Sequence, residues 1–335
     1  MARPTLKDLA KQLGVDASLV SRVLRSDPEV RVSKAKREKI IALAAKTRYR
    51  PNHVGRSLQS KRTRIVAMVV PDITNPFYAA LFRSVETVAL DRGYSVILCN
   101  TDEQHSRSER LLDVLGDGHV DGWVVASARQ ADPNIQALAA ASIPYVILNR
   151  RTDVRSVPWV GPDDFQSGVV GGRHLLERGH RRISYITAEL EITSMRLRLE
   201  GFLAAAKSFA CPVDDDLIVV DRLIGGDMRE RVSKLLRDSS RRPTALFVSN
   251  SVHMHGVVAA IRELGLLIPQ DISVIGYNPL PDAFFSGVSV PVPEMGRIGM
   301  NWLIDRVEQP NTAEILNVTL PVSFVDRGTS SRPPA

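Results

Sequence analysis

The sequence predicts an α/β protein: a small helix-turn-helix head, then a body of two doubly wound parallel sheets. Three observations carry this. The helical apolar pattern of the first residues stops and restarts around Gly14. The basic residues are concentrated in the first fifth of the chain. From about residue 65 onward, short apolar runs alternate with amphipathic stretches at the spacing of strand–helix units.

The head comes first. Leu6, Leu9, Ala10 and Leu13 fall on one helical face, and Thr5 is placed to cap it with Asp8 as the capping-box acid. Gly14 suits the positive φ of a helix C-terminus. Asp16 then caps a second helix whose apolar stripe is Val20, Val23 and Leu24 and which ends near Arg25. "SDPEVRV" is a loop broken by Pro28. Ser33 caps a third helix through about Thr47, with Ile40, Leu43 and Ala44 facing the first two. Three such helices around a small core form a helix-turn-helix, whose second helix can enter a major groove.

On that second helix Arg22 is the expected base reader, because its guanidinium can bond guanine O6 and N7 together. Ala17 and Ser18 are small enough to approach base edges. Ser21 and Thr5 are expected on phosphates, which position without specifying. A lone arginine would ordinarily be read as a surface residue; the flanking pattern favours groove contact.

Composition agrees. Residues 1–64 hold 17 Lys/Arg against 5 Asp/Glu, whereas the rest hold 27 against 32. A compact basic head on an acidic body predicts a polyanionic partner, most simply double-stranded DNA. There is no run of about 18 apolar residues, so no membrane span is expected. The start of the chain has no apolar stretch of the kind a secretory signal needs, which with two distant cysteines, Cys99 and Cys211, points to a reducing cytoplasm.

"RYRPNHVGRSLQSKR", 48–62, follows. Pro51 ends the third helix, and Asn52 can cap a two-turn helix from His53 to about Gln59. A helix that short is marginal alone, and Gly55 weakens it by about 1 kcal/mol relative to alanine. It is expected to fold only against DNA and a second copy, with Asn52, His53, Arg56 and Leu58 as its DNA-binding residues. Gly55→Ala should tighten operator binding.

In the body, strands are expected at 65–70, 95–98, 122–126 and 145–148, with helices at 77–92, 106–116 and 133–141. After Pro162 the alternation resumes. It gives helices at 165–177, 194–209, 227–237 and 252–264, and strands at 183–187, 217–220, 245–248 and 273–275. In such sheets ligands bind beyond the carboxyl ends of the strands. The candidates there are Asp72, Asn75, Phe77 and Tyr78 of "PDITNPFY", Asn149 of "NRR", Arg196 and Arg198 of "SMRLRLEGF", and Asn250 and Asn278. Phe77 and Tyr78 can stack on a ring, although an aromatic that opens a helix is as often core.

"TLKDLAKQLGVDASLVSRVLR" and "YRPNHVGRSL" resemble the lactose-repressor and galactose-repressor family of bacterial transcription factors. The resemblance continues through "VVPDITNPFY", "RGYSVILCNTDE", "VDGWVVA", "HLLERGHRRISYI", "MRLRLEGF" and "PQDISVIGY", and so covers nearly the whole chain. It implies a head at 1–49, a hinge helix and linker at 50–62, and an effector-binding and dimerisation body at 63–335 similar to periplasmic sugar-binding proteins. The first subdomain would take about 63–161 plus 292–322, the second about 162–291 plus 323–335.

By the same resemblance Ala17, Ser18 and Arg22 stand at base-reading positions, Leu58 is the leucine wedged into the minor groove, and Arg198 is the effector-binding arginine. Asp16 departs from the usual serine or threonine: it either weakens DNA binding or only caps its helix. Many relatives carry an aspartate at the positions of Ser251 and Asn278. Arginines kept and acids lost suggest an anionic effector, such as a sugar acid or phosphorylated sugar.

The expected function is therefore a transcriptional regulator, a repressor, that binds a palindromic operator as a homodimer under control of a small-molecule effector. No cofactor or metal is expected. "GVVGGRH", 168–174, lacks the Lys-Ser/Thr of a phosphate loop, His253 and His255 are not spaced as a helical metal pair, and no G-x-S-x-G occurs, so an enzyme is not expected. The alternative is a solute-binding protein of the same body fold, which predicts a signal peptide and no basic head. The last residues carry no apolar heptads, so a dimer rather than a coiled-coil tetramer is expected.

Overall fold

The computed structural model describes residues 4–24, 27, 30–47, 49, 62–116, 118–154, 156–279, 284–310 and 314–334. The hinge candidates Asn52, His53, Arg56 and Leu58 lie outside them. The chain divides into two compact units, 1–63 and 64–335.

The first unit holds α1 (Leu6–Leu13), α2 (Ala17–Leu24) and α3 (Lys34–Lys46). Thr5 and Asp8 close a reciprocal capping box on α1, and Gly14 ends it at φ 59°, the left-handed conformation that a side chain would strain. Leu9, Val20, Val23, Val30 and Ile40 form the buried core, which holds α2 across α1.

The second unit contains two six-stranded sheets. The first half runs β1 (Ile65–Val70), α4 (Pro76–Asp91), β2 (Ser95–Asn100), α5 (His105–Gly116), β3 (Gly122–Val125), α6 (Pro133–Ala140), β4 (Tyr145–Leu148) and β5 (Trp159–Pro162). The second half follows with α7 (Asp164–Glu177), β6 (Ile183–Thr187), α8 (Thr193–Ser208), β7 (Ile218–Val220), α9 (Met228–Arg237), β8 (Ala245–Val248), α10 (Ser251–Glu263), β9 (Ser273–Tyr277) and β10 (Ser286–Ser289). The chain then returns through α11 (Val292–Glu308) and β11 (Asn317–Leu320), and crosses once more to β12 (Ser323–Val325). The sheet orders are β11-β5-β4-β3-β1-β2 and β12-β10-β9-β8-β6-β7. The pairings are parallel except β10 with β12.

Five elements were not anticipated from periodicity: β5, β10, α11, β11 and β12. The strands are three or four residues long, and β5 and β10 contain glycine or proline, so no alternation has room to show. Short connections at 162–164, 289–292 and 320–323 tie the halves together. β2 and β9 run two residues longer than expected, to Asn100 and Tyr277, and Leu217 belongs to a 3-10 turn rather than to β7.

The glycine run of α7 has a packing explanation. A Cβ on Gly168 would collide with the Arg198 carbonyl oxygen, and one on Gly201 with the Phe165 carbonyl oxygen. The two helices therefore approach to backbone contact, which brings Asp164 of α7 beside Arg198 of α8. Below them Tyr185 stacks on Phe202 at 4.9 Å, and Phe247 meets Tyr185 edge-on.

Candidate functional site

On the first unit, Ser18 is exposed on α2, and Ala17, Ser21 and Arg22 are half-buried. The Asp16 carboxylate accepts from the Ser18 N–H at 2.7 Å, and the Ser18 hydroxyl, then this N–H, hold its pKa below the usual carboxylate range. Asp16 is thus a working N-cap. Thr5 spends its hydroxyl on the Asp8 carboxylate at 2.7 Å. Arg22 forms an ion pair through Nε with Asp27 at 2.8 Å, and its side chain stays 43% exposed.

On the second unit, a cavity lies between the two halves, beyond the carboxyl ends of both sheets. Seven of the nine expected cleft residues line it: Asn75, Phe77, Tyr78, Asn149, Arg198, Asn250 and Asn278. Asp72 and Arg196 do not. Asp72 holds a tight turn, accepting from the Thr74 backbone and hydroxyl, and Arg196 pairs with Glu200 on the exposed side of α8. Residues two apart on a helix point about 200° apart, so Arg196 and Arg198 cannot share a face.

The loops are shaped by their asparagines. Asn75 caps α4 by accepting from the Phe77 N–H, and Asn250 caps α10 by accepting from the His253 N–H, each at 3.0 Å. Asn149 and Asn278 sit at φ 69° and 50°, the left-handed region that asparagine tolerates better than most residues. The Asn149 side-chain oxygen is buried with no hydrogen-bond partner among the described residues.

Six lining residues were not among the candidates: Arg150, Ser194, Met195, Leu223, Ser251 and Tyr277. Arg150 could have been found, since it follows Asn149 at the same strand end. Tyr277 is hidden in sequence as an ordinary strand aromatic. In the structure the Arg198 guanidinium lies over its ring at 3.5 Å.

The electrostatics depend on partners invisible to motif reading. Arg198, 2% exposed, donates from Nε to Asp164 at 2.8 Å and from Nη1 to the Ser249 carbonyl at 2.8 Å. Arg150, 3% exposed, makes a two-pronged ion pair with Glu103. Burial works against both guanidinium charges, and Tyr277 with Asp164, and Tyr78 with Glu103, more than offset it, so both pKa values are raised. Of the arginines on which the expectation of an anionic effector rested, Arg196 pairs with Glu200 outside the cavity and Arg198 carries a counter-charge already, as does Arg150.

His253 is 4% exposed and structural: its Nδ1 meets the Asn250 amide at 3.0 Å and its Nε2 meets the Arg222 carbonyl at 3.1 Å. Among the described residues no cluster of His, Cys, Asp or Glu is arranged to hold a metal, and no helix is long and apolar enough to cross a membrane.

Comparison with known proteins matches residues 5–52 to the family model "Bacterial regulatory proteins, lacI family" and residues 173–330 to "Periplasmic binding protein-like domain". The ribose operon repressor of Escherichia coli (strain K12) is 33% identical over 342 residues, covering 97% of this chain and 99% of that protein. A transcriptional regulator CelR–cellobiose complex superposes with a TM-score of 0.71 at 27% identity, covering 98% of this chain and 100% of that one. The lac repressor dimer bound to operator and the anti-inducer ONPF has the same fold, with a TM-score of 0.81 at 23% identity over 98% of this chain and 100% of that one.

Proposed function

Because the chain belongs to the lacI family of bacterial regulatory proteins, we propose that it acts in the cytoplasm as a dimeric repressor of a palindromic operator, released or recruited by a neutral, polyhydroxylated sugar held in the cleft. It is a DNA-binding transcriptional regulator under small-molecule control, and its relatives are regulators rather than enzymes. The finer assignments are ours. Residues 1–49 read DNA, with Arg22 on a guanine, Ala17 and Ser18 against base edges, and Thr5 and Ser21 on phosphates. Residues 50–62 are the hinge helix and linker, with Asn52, His53, Arg56 and Leu58 on DNA and Leu58 in the minor groove. The body divides near 162, 292 and 322.

The single observation that supports a neutral effector is the pairing of both cleft arginines with carboxylates. An anion entering there would compete with Glu103 and Asp164 for donors already engaged. A sugar hydroxyl, in contrast, can donate to the unpartnered Asn149 oxygen and accept from the cleft amides. Sugars named with the relatives, ribose and cellobiose, are of this class.

Selection of DNA from a random pool by the purified protein, beside Arg22→Ala, tests the DNA half. The expected result is an enriched palindrome whose discrimination at one base falls by about 1–3 kcal/mol in the variant. No enrichment in the presence of cell extract would refute it. Calorimetry with neutral sugars and their sugar acids tests the effector half; binding of the acids alone would refute neutrality.

A further inference from the structure

We infer that Glu103 sets the ligand class of the cleft: it neutralises Arg150, so the site takes a neutral molecule, and its removal turns the same site into one for phosphate-bearing anions. The inference rests on the reading of the cleft as the effector site, and names the residue that decides its specificity.

Arg150 lines the cavity and its side chain is 4% exposed. A guanidinium so desolvated needs a partner, because leaving it unpaired is far costlier than the pair itself is stabilising. Glu103 supplies that partner from outside the cavity lining, with both carboxylate oxygens on both terminal nitrogens. Two donors of Arg150 are thereby turned away from any ligand. Tyr78 lines the same cavity.

Glu103 is itself held in place at some cost. Asp102 and Glu103 have φ values of 49° and 58°, two successive non-glycine residues in the left-handed region. Such conformations persist where surroundings over-determine them. Here Asn100 donates to the Asp102 carboxylate at 2.5 Å, Arg107 forms an ion pair with Asp102, and Arg129 binds the Glu103 carbonyl oxygen and approaches its carboxylate at 3.7 Å. A turn strained and clamped in this way delivers one carboxylate to one buried arginine. Glu103 touches no cavity space and acts through Arg150, so it is a positioning residue.

The test uses the full chain and inorganic phosphate, so it does not depend on knowing the effector. Melting is followed in phosphate against chloride at equal ionic strength, for wild type, Glu103→Gln, Glu103→Asp and Glu103→Gln/Arg150→Gln. Stabilisation by a ligand bound only to the fold grows with its concentration over Kd. Glu103→Gln should gain a saturable rise in Tm with phosphate, at least tenfold tighter in Kd than wild type, and lose it in the double variant. Glu103→Asp, which keeps the charge, should behave as wild type. A merely structural Glu103 would lower Tm in both salts alike. That result, or phosphate binding that survives loss of Arg150, overturns the inference. If Glu103→Gln proves too unstable to handle in chloride, its recovery by phosphate is the same readout, and failure to recover overturns the inference equally. A cleft that gains phosphate yet never alters operator binding would instead count against the effector reading.

Discussion

The Ser251 hydroxyl donates to the Asn75 side-chain oxygen at 3.3 Å, so the cap of α4 in one half of the body is bonded to the first residue of α10 in the other. The bond spans the cavity and closes only when the halves are in this orientation. Ser251→Ala should leave Tm nearly unchanged and weaken effector binding about 2–13-fold, the range of a net contribution of about 0.5–1.5 kcal/mol. Calorimetry on the two proteins checks this; equal affinities would mean the bond plays no part in closure.

Asp164→Asn should be far more damaging. The carboxylate is 1% exposed and bonded to Arg198, so its neutralisation leaves a buried guanidinium without its counter-charge. A loss of about 3–5 kcal/mol is expected in denaturant unfolding, as for other broken buried pairs. The same change should admit anions to that side of the cleft.

Asp16→Asn separates the two roles open for this residue. Asparagine caps as well as aspartate, so the unfolding midpoint should hold, whereas Asp16→Ala should lower it. If the carboxylate also faces phosphates, the asparagine variant binds operator more tightly, most clearly at low salt. Unchanged affinity in operator titrations would leave capping as its whole role.

Stability should fall on acidification through the histidines of the second half. His174 stacks on Phe324 at 3.7 Å and meets Ser330 through Nε2 at 2.7 Å. Burial, and then the Arg178 charge, push its pKa down to about 4 from 6.5. The unfolded chain binds this proton below pH 6.5 and the fold does not until about pH 4, so stability is lost as pH falls through that window. His174→Gln should flatten the dependence of Tm on pH between 6.5 and 4. The flattening is partial, because His180 and His253 are shifted the same way, both mainly by burial.

Much of the fold was legible where a local pattern was long enough to register. The break at Gly14, the caps Thr5, Asp16 and Ser33, and the strands at 65–70, 145–148, 183–187 and 245–248 stand where spacing placed them. The strand-end rule led to seven cleft residues. It failed for Asp72, which is consumed by its own turn, and for Arg196, which faces solvent. It passed over Arg150 and Tyr277, whose importance comes from partners distant in sequence, Glu103 and Arg198.

By itself the sequence determined the helix-turn-helix head, the α/β alternation of the body and the loops where a ligand could sit. These follow from periodicity, capping and charge, which are properties of neighbouring residues. The tertiary structure alone decided that Glu103 reaches Arg150, 47 positions away, and that Asp164 reaches Arg198, 34 away. Those pairs turn a cleft of apparent positive charge into a balanced one. A charge in water is screened within about 10 Å, but a buried charge is defined by the single group that faces it, and which group that is depends on how each half folds upon itself.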